Sequence, residues 1–200
     1  MNVLNDDYLA ASFSISRETI EKLKNYQQLV LAWNNKFNLI SKKSIENFWV
    51  RHIIDSLQLL KFIKNKNIIL VDIGSGAGFP GIVLSIAGVK TVILIESDTK
   101  KSAFLLQAAR LSENSIEVRN KRIEDEKLSC DILTARAFSD LNTIFKYTKN
   151  VDVKDKYLLL KSKNYQQEFD IARRNWLFDY KVHNSITLEE SKVLEISNLK

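Results

Sequence analysis

The stretch VDIGSGAGFPG, Val71 to Gly81, holds four of the chain's five glycines and its only proline. Ordered glycine costs backbone entropy, so such a cluster indicates that something approaches the main chain closely. The apolar, β-branched residues before it, NIILVDI, are typical of a buried parallel strand. The residues after it, PGIVLSIAG, predict a helix that begins at Pro80 and ends at Gly88. Strand, glycine turn and helix N-terminus together predict a nucleotide-binding corner.

Strand-like and helix-like stretches alternate through the rest of the chain. Seven stretches have the pattern of strands, namely IILVDI, KTVILIE, SIEVRN, CDILTARAF, KYLLLKS, FDYKVHNSI and KVLEIS. Four helical patterns separate them, namely PGIVLSIAG, TKKSAFLLQAARLS, LNTIFKYTK and YQQEFDIARRN. This alternation predicts an α/β fold, with a mainly parallel sheet and helices on both faces.

Two helical segments without strands precede this body. Apolar residues recur at helical spacing from Ser16 to about Lys36, and Ser44 is placed to be the N-cap of a second helix in IENFWVRHIIDSLQLL. We expect one domain over residues 1–200, in which residues 1–65 form a helical cap on an α/β body of residues 66–200. The three tryptophans occupy apolar-periodic positions and are expected in the core: Trp33, Trp49 and Trp176.

Composition narrows the class of protein. The net charge is +6 and the isoelectric point is near 9.3, which favours an acidic partner, with nucleic acid first, although such a composition can also reflect the base composition of a genome. No apolar run approaches the roughly 20 residues that span a bilayer. The N-terminal stretch MNVLNDDYLA lacks the pattern of a secretion signal. A single cysteine, Cys130, excludes an internal disulfide and suits the cytoplasm, and two histidines leave little material for a metal site.

The glycine spacing leaves two kinds of nucleotide open. Gly76, Gly78 and Gly81 satisfy G-x-G-x-x-G, the fingerprint of NAD-dependent oxidoreductases. Glu96 ends the next strand about 20 residues on, where an acid binds the ribose hydroxyls of NAD and adenosyl cofactors alike.

A second feature of the turn favours a methyltransferase. Asp72 lies at the end of the strand, in the pattern D-x-G-x-G-x-G. A carboxylate disfavours pyrophosphate there and suits a ligand with a positive amino group, such as S-adenosylmethionine. Phe79 and Pro80 also crowd the turn that pyrophosphate would occupy. A dehydrogenase and a non-enzymatic RNA-binding protein remain as alternatives.

Two catalytic features of other methyltransferases are missing from the sequence, and their absence narrows the choice of methyl acceptor. Methylation of pyrimidine C5 needs a nucleophilic cysteine, but Cys130 begins a strand and is expected to be buried and inert. ARAFSDL, after the fourth strand, lacks the prolines common in enzymes that methylate amino groups of bases. Methylation of guanine N7 needs neither the cysteine nor the proline-containing loop, because the N7 lone pair is free at neutral pH. We therefore expect no catalytic residue, and a structural role for His52 and Asp55, which lie one helical turn apart.

Four segments carry a family resemblance. NLISKKSIENFWVRHIIDSL, VDIGSGAGFPGIVLSI, NKRIED and LTARAFSDL together resemble the bacterial 16S ribosomal RNA guanine-N7 methyltransferases, also called glucose-inhibited division protein B. The resemblance runs from about Trp33 to Lys161. It implies a class I, Rossmann-like S-adenosylmethionine-dependent methyltransferase fold. It also implies 16S ribosomal RNA as substrate, free or in an assembling small subunit. We expect the protein to act without a metal and as a monomer.

The resemblance also implies roles for individual residues. It places cofactor contacts at Gly74, Phe79 and Arg136. It places the ribose at Glu96 and the adenine edge at Ile123 and Glu124. Gly76 is added as a cofactor residue because it lies in the glycine turn, where a ligand is expected to approach the main chain closely. Three roles have structural alternatives: a helix cap for Glu96, a surface carboxylate for Glu124, and pairing with Asp72 or another buried acid for Arg136. Six lysines are candidates for an RNA-facing stripe, with Lys161 nearest the site: Lys146, Lys149, Lys154, Lys156, Lys161 and Lys163.

Overall fold

One seven-stranded sheet organises the protein. The computed structural model describes residues 5–200. The first four residues of the N-terminal stretch MNVLNDDYLA, which lacks the pattern of a secretion signal, lie outside the described residues. The strands are β1 Ile69–Ile73, β2 Thr91–Ile95, β3 Ser115–Arg119, β4 Leu128–Arg136, β5 Val151–Lys161, β6 Asp179–Asn184 and β7 Lys192–Ser197. Their order is β3-β2-β1-β4-β5-β7-β6. Neighbours among β1 to β5 are parallel, and β7 is antiparallel to both β5 and β6. The predicted mainly parallel sheet is confirmed.

Helices cover both faces of this sheet. The α-helices are α1 Asp6–Phe13, α2 Arg17–Asn34, α3 Lys42–Ile45, α4 Asp55–Leu57, α5 Gly81–Ile86, α6 Thr99–Ala108, α7 Leu141–Tyr147 and α8 Tyr165–Ala172. A π-helical segment, Trp49–Ile54, leads into α4, and 3-10 turns follow at Gln58–Phe62, Ala109–Leu111 and Ile123–Asp125.

The hydrophobic core forms two layers, one on each face of the sheet, because successive side chains of a strand point to opposite faces. In β1, Leu70 packs into one hydrophobic cluster, whereas Val71 and Ile73 pack into the other. The first cluster contains the side chains of α2, α5 and α6, and the second contains those of α7 and α8. Each face of the sheet is therefore buried, as a parallel sheet requires.

The N-terminal helices share the first of these clusters. Ile20, Leu23, Tyr26 and Val30 of α2 are fully buried together with Phe104 of α6. The N-terminus of α2 is capped by Ser16, whose hydroxyl oxygen accepts a hydrogen bond from the Thr19 amide at 3.1 Å. The predicted helix over this segment therefore forms and packs on the body.

The prediction that Ser44 is an N-cap is wrong. Ser44 lies inside the short helix α3 and is buried, and its hydroxyl donates back to the Ser41 carbonyl at 2.8 Å. Ser41 occupies the N-cap position instead. A serine hydroxyl can bond to a carbonyl three residues earlier as readily as it caps a helix, so the residue type alone does not fix the boundary.

The tryptophans and the cysteine lie where they were predicted. The three indoles are half-buried against the two clusters, and each N–H donates to an amide oxygen: Trp33 to Gln107, Trp49 to Gln27 and Trp176 to Asn142. Cys130 is buried, which raises the pKa of its thiol to about 12. Over residues 5–200, every helix is too short or too polar to cross a bilayer.

Candidate functional site

Two adjoining cavities open where the parallel strands end. The larger has a volume of about 660 Å³ and the smaller about 450 Å³. Five residues line both of them: Gly74, Lys101, Ala137, Phe138 and Ser139. The ring of Phe138 lies against Gly74, so closely that a Cβ on Gly74 would clash with it. In open α/β sheets, ligands bind at this carboxyl edge.

All seven predicted cofactor residues border these cavities. Gly74, Gly76, Phe79 and Arg136 line the larger one. Gly74 also lines the smaller one, together with Glu96, Ile123 and Glu124. Residues far apart in the sequence thus meet at two adjoining cavities, which together we call the cleft, and Gly74 lines both of them.

The glycine loop needs glycine for two reasons. Gly74 and Gly76 have φ of +60° and +56°, a left-handed conformation that disfavours side chains. A Cβ on Gly76 would meet no heavy atom closer than the Gly74 carbonyl oxygen, at 3.8 Å. The main chain at Gly76 is therefore open towards the larger cavity, which it lines, and a ligand can approach it closely.

Glu96 both orders the loop and faces the smaller cavity. One carboxylate oxygen accepts from the Gly76 amide and the other from the Asp98 amide, each at 2.8 Å. The helix-cap alternative for Glu96 is wrong, because Asp98 caps α6 by accepting from the amides of Lys100 and Lys101. Each carboxylate oxygen keeps a further lone pair, so Glu96 can still accept from a ligand hydroxyl.

Asp72 holds the loop from beneath instead of facing the ligand. It is fully buried and borders neither cavity, so the expectation that it meets a ligand's amino group is not supported. One oxygen accepts from the Gly81 amide at 3.2 Å, and the other has no partner within residues 5–200. Burial raises the pKa of this carboxyl to about 7. The strand-end acid thus ties β1 to the start of α5.

Arg136 joins the end of β4 to the N-terminal helices. Its guanidinium donates to the Arg51 carbonyl at 2.8 Å and contacts Nδ1 of His52 at 2.9 Å. It lies 3.7 Å from the Asp55 carboxylate and 4.8 Å from the centroid of the Phe79 ring. The acid that pairs with Arg136 is therefore the half-buried Asp55 instead of the fully buried Asp72, and this pairing coexists with the position of Arg136 on the cavity wall.

His52 lies on the wall of the larger cavity and is closely packed there, and its structural role stays a prediction. Its ring stacks on Phe79 with centroids 4.7 Å apart, and only 7% of the residue is exposed. Burial, and then the charge of Arg136, lower the pKa of His52 to about 3. The imidazole is therefore neutral near pH 7. Its Nδ1 accepts a hydrogen bond from Arg136, so this nitrogen carries no proton that it could donate as an acid.

The glycine loop is also held from the cap. The hydroxyl of Tyr26, on α2, donates to the carbonyl of Ala77, and the Tyr26 ring packs on Phe79 with centroids 5.3 Å apart. Tyr26 is fully buried and borders neither cavity. The N-terminal helices thus fix the loop without touching the cleft at this point.

The six candidate lysines do not all lie beside the larger cavity. The Lys161 ammonium lies at the larger cavity but is engaged, since it forms an ion pair with Glu168 at 2.7 Å and donates to the Ser139 carbonyl. Lys156 pairs with Glu195 at 3.2 Å. Lys149 and Lys154 lie near the amino end of β5, at the opposite edge of the sheet. An eleven-residue strand separates lysines that lie close together in the sequence.

Several cavity residues went unpredicted. Lys101, Phe138 and Ser139 border both cavities, and Leu39, Ile40 and Ser41 come from the loop after α2. The turn between β6 and β7 adds Thr187, Leu188 and Ser191. The position of ARAFSDL at a strand end was a usable signal for Phe138 and Ser139. The other segments reach the cleft through tertiary packing, which no local pattern reports.

Solved structures share this fold. A ribosomal protein L11 methylase from Lactobacillus delbrueckii subsp. bulgaricus matches with a TM-score of 0.59 at 14% identity, over 72% of this chain and 76% of that one. A SAM-dependent methyltransferase from Aquifex aeolicus matches with a TM-score of 0.57 at 14% identity, over 80% of this chain and 95% of that one. At this identity the likeness concerns the fold alone.

Sequence relatives are much closer. The family model described as rRNA small subunit methyltransferase G matches residues 19–196, well beyond Lys161. The protein called ribosomal RNA small subunit methyltransferase G from Rickettsia akari is 60% identical over 92% of this chain and 97% of its own length. The protein of the same name from Rickettsia felis is 59% identical over 92% and 96%. The chain therefore belongs to the rRNA small subunit methyltransferase G family.

Proposed function

We propose that the protein transfers a methyl group from S-adenosylmethionine to N7 of a guanine in 16S ribosomal RNA. The observation that supports this proposal is the cleft, in which the seven predicted cofactor residues border two cavities that adjoin at Gly74. Family membership supports a methyltransferase over the dehydrogenase and over a non-enzymatic RNA-binding protein.

The cleft fits S-adenosylmethionine. Gly76 is open to the larger cavity, and Glu96 presents a carboxylate at the smaller one, beside Ile123 and Glu124. We assign the adenosine to the smaller cavity, with the ribose at Glu96, and the amino acid part to the glycine loop. The bound cofactor supplies an electrophilic methyl group on a sulfonium. Its site borders the larger cavity, which has room for a base.

The protein contributes alignment to this reaction. The N7 lone pair of guanine is free at neutral pH, so attack on the methyl needs no general base. His52 is held neutral and hydrogen-bonded to Arg136, which agrees with this view. Holding the two reactants in line is worth up to roughly 7–11 kcal/mol. The fixed contacts of Arg136 and Phe79 give the cavity wall the rigidity that alignment requires.

The shape of RNA restricts the target. In an A-form helix, N7 lies in a deep, narrow major groove that side chains do not reach. We infer that the methylated guanine is unpaired or lies in a distorted region, so that its base can enter the larger cavity. We further propose that the protein acts as a monomer in the cytoplasm, where the assembling small subunit is available.

Two measurements test this proposal. S-adenosylmethionine should raise the Tm of the protein while NAD leaves it unchanged, because only a ligand that binds the folded state stabilises it. Methyl transfer should then be compared between free 16S ribosomal RNA and assembling small-subunit particles. A Tm that responds to NAD alone, or transfer to neither RNA substrate, would contradict the proposal.

A further inference from the structure

The larger cavity has a basic rim, which we call the lip and define as residues 36–51. The lip carries four cationic side chains and a single carboxylate, Glu46. The cations are Lys36, Lys42, Lys43 and Arg51, and all four are exposed. None of them forms an ion pair with a carboxylate in the part of the chain that the structure describes.

The lip belongs to the wall of the cleft. Leu39, Ile40, Ser41, Ser44 and Arg51 line the larger cavity. Leu39 and Ile40 are half-buried and give this wall an apolar surface between the cations. A base that enters the cavity from this side would therefore pass an apolar surface while its neighbouring phosphates lie beside lysines.

The start of the lip is held in one conformation. The side-chain oxygen of Asn34 accepts from the amides of Leu39 and Ile40, at 2.8 and 2.9 Å. The amide of Phe37 donates to the Trp33 carbonyl at 2.9 Å, and the two rings pack with centroids 5.7 Å apart. A fixed segment presents its charges without a large loss of conformational entropy on binding.

Three of the six lysines that the sequence offers as candidates are poorly placed for this role. Lys156 and Lys161 are already paired with Glu195 and Glu168. Lys154 precedes Lys161 by seven residues on β5, which is about 23 Å along a strand. That separation exceeds the screening length of about 8–10 Å at ordinary salt, so Lys154 has little effect on a phosphate beside the cavity.

We propose that the lip is the surface that binds the RNA backbone next to the target guanine. The cations of residues 36–51 neutralise phosphates on either side of the methylated nucleotide, and the lysines at the amino end of β5 do not take part. This inference rests on the proposed function, because it assumes that RNA is the substrate of the larger cavity.

Two double variants that remove equal charge test the lip. K42Q/K43Q changes the lip, and K149Q/K154Q removes two exposed lysines at the far edge of the sheet that form no ion pair within residues 5–200. Affinity for an unmodified 16S ribosomal RNA transcript is measured over a range of salt concentrations. Each phosphate contact contributes about 0.7 to the slope of log affinity against log salt. The lip variant should flatten the slope by about 1.4 and lower the affinity about tenfold at 0.15 M salt. The control should match the original protein.

Controls separate this inference from other failures. Both variants should bind S-adenosylmethionine with the original affinity; if K42Q/K43Q is destabilised, K36Q alone should still flatten the slope by about 0.7. An equal or larger loss in K149Q/K154Q, or unchanged RNA binding in the lip variants, overturns the lip. A protein that binds RNA through the lip but transfers no methyl would instead overturn the proposed function and leave the lip standing.

Discussion

At the residue scale, the glycine loop combines backbone strain with an open face. Gly76 has a left-handed φ of +56° and no neighbour that a Cβ would strike, so a side chain there would point into free space at the cavity. Gly88 also has a positive φ, +111°, but lies at the end of α5 beside the flexible side chain of Lys66. The two glycines share the backbone constraint and differ in their relation to the cleft.

A matched pair of substitutions separates these effects. Gly76→Ala and Gly88→Ala should each cost about 1–2 kcal/mol of stability, the cost of a left-handed conformation with a side chain. Only Gly76→Ala should weaken S-adenosylmethionine, by at least tenfold in Kd by calorimetry, because its methyl group occupies ligand space. Equal cofactor affinity in the two variants would show that the loop does not contact the cofactor.

Two buried groups with opposite pKa shifts give a second prediction. Relative to its ordinary value of 3.8, the pKa of Asp72 is raised to about 7, so its contribution to stability is lost as pH rises from about 4 to 7. The pKa of His52 is lowered from 6.5 to about 3, so its contribution is lost as pH falls below about 6.5. The two contributions oppose each other between pH 4 and 6.5.

Single variants should expose these opposing contributions. The difference in unfolding free energy between Asp72→Asn and the original protein should become more favourable to the variant as pH rises from 4 to 7. For His52→Gln the same difference should become more favourable as pH falls from 6.5 to 4. Urea unfolding at a series of pH values measures both. Slopes of the same sign in the two variants would refute the assignment.

At the scale of elements, α2 acts on the cleft through the glycine loop. The Tyr26 hydroxyl donates to Ala77, while in the second hydrophobic cluster the buried hydroxyl of Tyr157 contacts that of Thr148 at 3.2 Å. Tyr26→Phe and Tyr157→Phe therefore remove the same group from comparable surroundings. Each should lower stability, by about 1–3 kcal/mol for a partner left unsatisfied.

Cofactor binding distinguishes these two tyrosines. Tyr26→Phe should weaken S-adenosylmethionine severalfold in Kd, because the loop loses its tie to α2 although Tyr26 does not line either cavity. Tyr157→Phe should leave the Kd unchanged. If both variants bind the cofactor equally well, the cap does not position the loop.

The sequence predicted elements better than it predicted their ends and contacts. Runs such as IILVDI and KTVILIE identified β1 and β2 because burial on both faces leaves a continuous apolar pattern. The first half of β5, from Val151, went unpredicted because charged residues alternate there on an exposed stretch. Ser44 led to a wrong helix start for a different reason: a serine side chain can bond to the nearby backbone both at an N-cap and inside a helix.

At the scale of the whole molecule, the cleft is assembled from segments that no local pattern connects. The loop after α2 and the turn between β6 and β7 both reach the larger cavity. Thr187 of that turn donates to Asp55 at 2.8 Å, and Asp55 lies beside Arg136. The glycine loop and Glu96 were predictable because they follow strands in order. The contacts between the N-terminal helices, β4 and the turn between β6 and β7 depend on tertiary packing, and the sequence did not predict them.

The proposed function depends on which atom receives the methyl group. To identify that atom, the purified protein is incubated with S-adenosylmethionine carrying a labelled methyl and with unmodified 16S ribosomal RNA, either free or in assembling small-subunit particles. The RNA is then digested to nucleosides and the labelled product is identified by mass spectrometry. We expect a single labelled product, N7-methylguanosine, from RNA with the original protein and much less with Gly76→Ala. A label on a ring carbon or an exocyclic amino group, or no label on either RNA substrate from a protein that binds the cofactor, would contradict the proposed function.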